Sequence, residues 1–462
     1  MTTNDYDLVI IGGSVAAVYA AKTASQLKAR VALVQPQSSN TIEDEIWRSQ
    51  QQPFPVSPGL SFYDLPIAEP YSPAILASLG IDAIVGEGQF CPKPKLAFEV
   101  NDRLLRSRRY LLAPGSTLAI PKIEGLTRAM ASNLNQQVLE HFRHGPNSQE
   151  PDGLPDRLIT IGDHPQGIEI AQSLARRGSL VTVILENSRI FPQEDAEAAF
   201  LIQAQLEADR VRVMTNTKVS QIKEINDKIW VQAGNEALEA DRVYIATEKP
   251  PKIQSLNLER VGVETVKDDS GAEYLQLNQK LQTTRSTIYG CGKLSQNYTL
   301  TNLAIHETEI AIKNALFVPI HKIHYNQIPR AFFTQPQLAR VGLTETQAKE
   351  QYGKDVLVFR QYFKNIAAAQ LQRETTGFCK AIARRNGQLL GVHMVGPGVS
   401  ELIHSFALAM QNGLKLGAIA SMPHIFPSLS EINSQTAQLW QYHQQIRPWQ
   451  KVLEAFFNWR RG

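Results

Sequence analysis

Twice in this chain an apolar run stops abruptly at a glycine and gives way to small residues at helical spacing. The first run is Leu8–Ile11, closed by Gly12, Gly13 and Ser14, with Ala16, Ala17, Ala20, Ala21 and Ala24 behind it and a second apolar run, Val31–Val34, after it. The second is Leu158–Ile161, ended by Gly162, followed by a helix-like stretch to Arg177-Gly178 and then Val181–Leu185. A strand that turns at once into a helix and returns as a second strand is a βαβ unit, whose parallel pairing needs both sheet faces covered. Two such openings, about 150 residues apart, predict two nucleotide-binding α/β domains in one chain.

Composition agrees with that class. The 462 residues are 43% hydrophobic and 20% charged, which fits an ordinary globular protein and excludes a collagen-like or low-complexity one. Lys and Arg number 47 against 44 Asp and Glu, a net charge of +3 too small and scattered for nucleic acid to be the main partner. The three cysteines, Cys91, Cys291 and Cys379, form no CxxC pair, so a disulfide scaffold, a zinc ribbon and a CxxC redox centre are excluded. The ten histidines lack the i, i+4 spacing of a zinc helix, and no metal site is expected. The first residues are polar and acidic, and no run approaches the roughly 18 apolar residues of a membrane span. The expected location is cytoplasmic, or peripheral to a membrane.

In a dinucleotide turn, GxGxxG, the first glycine makes the turn, the second lets backbone approach the pyrophosphate, and the third lets helix and strand pack closely. Here the first turn reads Gly12, Gly13, Ser14, Val15, Ala16, Ala17. Ser14 is small and retains a hydroxyl for phosphate, and Ala17 is a tolerated third residue. The ribose-binding acid expected after the second strand is Gln35, whose amide grips a hydroxyl without charge assistance. The second turn reads Gly162, Asp163, His164, Pro165, Gln166, Gly167. His164 would crowd the pyrophosphate path, and Asp163 would place negative charge where a diphosphate binds. Glu186, after the following strand, favours NADH over NADPH.

In order along nearly the whole chain, further segments carry a resemblance. Leu111–Ser116 (Leu-Leu-Ala-Pro-Gly-Ser), Asp241–Pro250 and Thr284–Lys293 (ending Ile-Tyr-Gly-Cys-Gly-Lys) are followed by Ile328–Glu345, Thr376–Lys380, Leu390–Gly398 and Phe426–Glu431. Together these resemble the class-I pyridine nucleotide-disulfide oxidoreductases, the family of dihydrolipoamide dehydrogenase and mercuric reductase. The resemblance implies an α/β fold of two Rossmann-like dinucleotide-binding domains plus a C-terminal α+β dimerisation domain. The expected division is 1–150 and 251–325 for the two parts of the FAD-binding domain, 151–250 for the NAD-binding-like domain, and 326–462 for dimerisation with an amphipathic extension. It implies FAD held at Gly12, Gly13, Ser14, Ala17, Gln35, Ala113, Gly115, Ser116, Gly292 and Lys293, and NADH at Gly162, Gly167 and Glu186.

The departures are equally specific. The family's redox-active cysteine pair belongs to the region Thr41–Gln50, which contains no cysteine, and only a thiolate performs that chemistry. The family's catalytic histidine position is Phe426, although Glu431 is present and His424 lies two residues earlier. The flavin-anchoring Gly-Asp is Gly292-Lys293, and Glu169 fits the family position that faces nicotinamide and flavin. The sequence therefore predicts a homodimer without disulfide chemistry, passing electrons from NADH through flavin to a small or quinone-like acceptor. The alternative is a catalytically silent relative kept as a binding or scaffold dimer. The C-terminal segment, with Trp440, Trp449, Trp459 and apolar residues at roughly helical spacing beside Lys451, Arg460 and Arg461, reads either as a helix packed on its own dimer or as a membrane-surface helix.

Overall fold

The residues before Gly12 form strand β1 (Tyr6–Ile11), and the small residues after it form helix α1 (Val15–Gln26). The computed structural model describes residues 5–36, 73–92, 95–116, 118–143, 154–247, 250–268, 271–292, 294, 300–443 and 450–461. Thr41–Gln50 and Lys293 lie outside the described residues. The chain divides into two units.

The first unit comprises Met1–Pro121, Gln136–Pro151 and Thr247–His324. Its sheet adds β2 (Val31–Gln35), β3 (Ile81–Val85), β4 (Ser107–Leu112) and, from much later in the chain, β9 (Ile288–Gly290). The order is β9-β4-β1-β2-β3, with every pair parallel. Leu8–Ile11, Val31–Val34 and Tyr110–Leu112 are all buried, as continuous apolar runs in a parallel sheet must be. On α1, Ala16, Ala17, Ala20, Ala21 and Ala24 are buried, so the helix backbone approaches closely. Tyr19 on its rim donates to Glu309 (2.8 Å) on α4 (Thr301–Leu316).

The second unit comprises Lys122–Asn135, Asp152–Ala246 and Tyr325–Gly462. Its parallel sheet is β7-β6-β5-β8, from β5 (Arg157–Ile161), β6 (Leu180–Ile184), β7 (Arg212–Met214) and β8 (Arg242–Ile245). Helix α2 (Pro165–Arg176) follows β5 and buries Ile168, Ile170, Ala171 and Leu174. Helix α3 (Ala196–Ala208) begins at the side-chain cap of Asp195. The same unit holds an antiparallel sheet of β10 (Arg330–Phe332), β11 (Gln337–Gly342), β12 (Val356–Tyr362), β13 (Phe378–Arg384) and β14 (Leu389–Gly396), in the order β10-β11-β14-β13-β12. Helices α5 (Val399–Gln411) and α6 (Glu431–Gln441) cover it, with Phe406, Ile432 and Trp440 in its core. A last helix, α7, spans Gln450–Arg461.

Within this unit the α/β segment is tied to the antiparallel sheet by polar groups taken out of water. Lys380 on β13 is buried and meets Asp195 at 2.9 Å, Glu345 at 2.7 Å and Glu197 at 3.3 Å, while Arg360 meets Glu197 at 2.8 Å. Arg340 pairs with Glu194 at 3.0 Å, and Phe191 stacks on Phe332 with ring centroids 4.9 Å apart. Burial works against the Glu345 carboxylate, but hydrogen bonds from Lys349 and Lys380 outweigh it and hold its pKa down to about 2. His393 on β14 is fully buried, its Nε2 is 3.0 Å from Leu343 O, and burial pushes its pKa down to about 4.

Candidate dinucleotide sites

The two glycine turns are built in the same way. At the first, Gly12 N–H donates to Val34 O (2.8 Å), and Ala113 N–H donates to Ile11 O (2.8 Å). At the second, Gly162 N–H donates to Ile184 O (2.9 Å), and Ala246 N–H donates to Ile161 O (2.7 Å). Each thereby places a glycine at the carboxyl end of its first strand, at the start of a helix.

Gly12 is required by geometry. Its φ is +141°, and a Cβ built there would lie 1.9 Å from Ala113 O. Ser14 caps α1: its Oγ accepts from Ala17 N–H (3.2 Å) and donates to Ala113 O (2.9 Å). In this structure the hydroxyl proton is directed at a backbone carbonyl. Ala17 is fully buried, and Gln35 closes β2 with its carbonyl accepting from Gly86 N–H (2.8 Å). Gly13 stands between Gly12 and the cap.

Next to this turn, Ala113 and Gly115 follow β4, and Gly292 follows β9. Gly115 has φ +72°, and among the described residues a Cβ built there would meet Ser14 Cβ at 3.8 Å; Gly292 has φ +78°, and one built there would meet Ala304 Cβ at 3.9 Å. Ser116 bridges to Pro251, and Gly115 O accepts from Lys252 N–H (3.1 Å). Three adjacent parallel strands, β9, β4 and β1, thus present glycine-lined turns at one sheet edge, beside the point where the strand order reverses. That crevice is where open α/β sheets take dinucleotides, and its glycine-lined turns fit one.

Sequence reasoning missed Glu307. This α4 residue is buried, and its Oε2 accepts from Gly292 N–H at 2.6 Å. A buried carboxylate thus holds the turn at Gly292. The signal in the sequence is a lone Glu on the apolar face of a helix, which periodicity does not distinguish from a solvated one.

In the second unit Gly167 lets helix and strand pack closely, since a Cβ there would lie 2.2 Å from Ala246 Cβ. Gly162 has φ +109°. His164 occupies the cap position of α2 without capping through its side chain, and Asp163 accepts from the Asn187 amide at 2.7 Å. Glu186 is exposed just beyond β6.

Glu169 is buried on α2, and its Oε1 accepts from Phe333 N–H at 2.8 Å. Gln172, one turn on, accepts from Gln335 N–H (2.8 Å) and donates to Gln335 O (2.6 Å). The expected nicotinamide-facing carboxylate thus binds a loop of its own unit, with Gln172 completing a two-point staple. His424 and Glu431 are not paired with each other. His424 Nδ1 lies 3.3 Å from Ser430 Oγ, and Glu431 Oε1 accepts from Ser428 N–H at 3.0 Å. Phe426, between them, is 74% exposed.

The cysteines supply no ready thiolate. Cys291 and Cys379 are fully buried, and burial pushes both thiols up to about 12. Burial also raises the Cys91 pKa, helped by its 3.1 Å hydrogen bond to Glu99. Among the described residues no His, Cys, Asp and Glu cluster could hold a metal ion.

Residues 6–308 match the family model described as pyridine nucleotide-disulphide oxidoreductase, and residues 328–437 match that family's dimerisation domain. The chain belongs to the pyridine nucleotide-disulphide oxidoreductase family. Members of this oxidoreductase family bind FAD and use NAD(P)H, and the glycine-lined crevice of the first unit fits FAD. A mercuric reductase of Staphylococcus aureus is 28% identical over 446 residues, covering 89% of this chain and 78% of that protein. A dihydrolipoyl dehydrogenase of Bacillus subtilis is 32% identical over 281 residues, so the matched part spans 60% of each. Among solved structures, LpdA of Mycobacterium tuberculosis shares the fold of this family member with a TM-score of 0.77 at 22% identity, over 94% of this chain and 99% of that one. The HOCl-induced flavoprotein disulfide reductase RclA of Escherichia coli, as its Cu(II) complex, gives 0.74 at 24% identity, over 95% and 100%.

Proposed function

We propose that this chain is an FAD-dependent NADH oxidoreductase, acting as a homodimer, that delivers electrons to a small or quinone-like acceptor without a thiol relay. The carrying observation is the state of its cysteines: none lies in Thr41–Gln50, and the three present have raised pKa values, two of them at about 12. FAD, when bound, supplies the two-electron carrier, so that NADH, a proton and a quinone give NAD+ and a quinol. The glycine-lined turns at Gly12, Gly115 and Gly292 would let the dinucleotide approach the backbone closely, and Glu186 would accept from the ribose hydroxyls of NADH. Phe426 presents an apolar ring where a thiol-dependent enzyme needs an imidazole, a change that suits an aromatic acceptor better than a disulfide.

The test is the spectrum and turnover of the purified protein. Retained flavin absorption, NADH-dependent reduction of ferricyanide or a soluble quinone, and no reduction of lipoamide or mercuric ion are expected. Disulfide reduction abolished by replacing one cysteine would overturn the proposal. The reading as a silent scaffold dimer is favoured by one observation, the commitment of Glu169 to Phe333 N–H. A colourless dimer that binds neither FAD nor NADH would establish that reading instead.

A further inference from the structure

Helix α7 lies beyond residue 437, where the match to the dimerisation domain ends. Its described side chains, from 452 to 461, are all exposed, and the large apolar ones range from 41% (Leu453) to 79% (Trp459). A helix of this length is marginal in water unless something takes its apolar side.

At ~100° per residue, Val452, Leu453, Ala455, Phe456, Phe457 and Trp459 cover an arc of roughly 200°, leaving Glu454, Asn458 and Arg461 on the opposite side. That arc is wider than the narrow seam of a two-helix contact. Its content is aromatic at the distal end, with the Phe456 ring centroid 5.4 Å from that of Phe457 and 6.3 Å from that of Trp459. Such rings are favoured at the boundary between hydrocarbon and headgroups. Arg460 falls inside the apolar arc. In a protein interface its charge would need a buried partner, whereas at a bilayer the long side chain reaches back to the headgroups. Glu454 is the only acid in the helix, and Arg460 and Arg461 make its last turn basic. At ~1.5 Å per residue the helix is about 18 Å long, short of the ~30 Å hydrocarbon core.

We infer that α7 lies in the headgroup plane of an anionic bilayer, with its apolar arc down and Arg460 and Arg461 on lipid phosphates. The inference stands apart from the redox reading, because it rests on this helix alone. The experiment is vesicle flotation of the full chain, using phosphatidylcholine with and without phosphatidylglycerol. The full chain should float with the anionic vesicles and far less with the neutral ones. Phe456→Ser with Trp459→Ser should abolish flotation, and Arg460→Gln with Arg461→Gln should weaken it roughly thirty-fold. Chains ending at residue 443 should stay dimeric by sedimentation and fail to float. No flotation of the full chain, or flotation unchanged by the paired serine substitutions, overturns the inference. So does dissociation of the dimer on truncation, which would assign the apolar arc to a second copy.

Discussion

At the scale of single residues, the crevice of the first unit depends on atoms that are missing. Gly12→Ala would put a methyl group 1.9 Å from Ala113 O at a φ of +141°. The variant should emerge from desalting without flavin and melt several degrees lower, read from the visible spectrum and a thermal scan. Glu307 works in the opposite sense, by supplying an acceptor. Glu307→Ala leaves Gly292 N–H without its partner, and FAD affinity measured by flavin fluorescence should fall about ten- to hundred-fold. Glu307→Gln, which keeps an acceptor, should retain most of it. At the pyridine nucleotide turn, Glu186→Lys should lower kcat/KM for NADH about ten-fold while sparing NADPH, and steady-state kinetics with both nucleotides checks this.

At the scale of elements, strands, turns and the two βαβ openings were legible because their signals are local. An apolar run ended by glycine specifies β1 and β5, and alanines at helical spacing specify the buried face of α1. The fates of Ser14 and Glu169 were not legible. Whether Ser14 donates to a phosphate or to Ala113 O depends on a carbonyl 99 residues away, and Glu169 depends on Phe333 N–H, 164 residues away. No periodicity carries such distances. The polar cluster that joins the α/β segment to the antiparallel sheet was invisible for the same reason, since Lys380 reads in sequence as an ordinary strand residue.

That cluster gives an acid dependence whose sign can be worked out. His393 has its folded pKa lowered from 6.5 to about 4, so the unfolded chain binds the extra proton between those values. Stability is therefore complete above about pH 6.5 and falls as pH drops towards 4, by about 2–3 kcal/mol. Glu345, held down to about 2, adds a second loss as pH falls from about 4.5 towards 2. Urea midpoints measured against pH should show the first slope, and His393→Gln should remove it.

At the scale of the whole molecule, the dimerisation domain leaves apolar side chains uncovered in a single chain. Leu408, Met422, Ile425 and Phe426 are exposed on a domain that matches the family's dimerisation domain, and apolar surface of this kind suits contact with a second copy. Ile425→Asp with Phe426→Asp should shift sedimentation from dimer to monomer while leaving the visible flavin spectrum intact.

Strand β9 pairs with β4 through Ile288 and Tyr110, so the sheet of the first unit joins segments made about 180 residues apart. A ribosome releases the whole α/β segment of the second unit before it releases that strand. The nascent chain therefore holds β4 with one edge bare until Ile288 has been made. The turn at Gly292, which Glu307 secures, is among the last parts of the crevice to arrive. A closed crevice accordingly needs the chain as far as Glu307, and a chain stopped before Gly292 would leave the ribosome with the first glycine turn formed and nothing to close it.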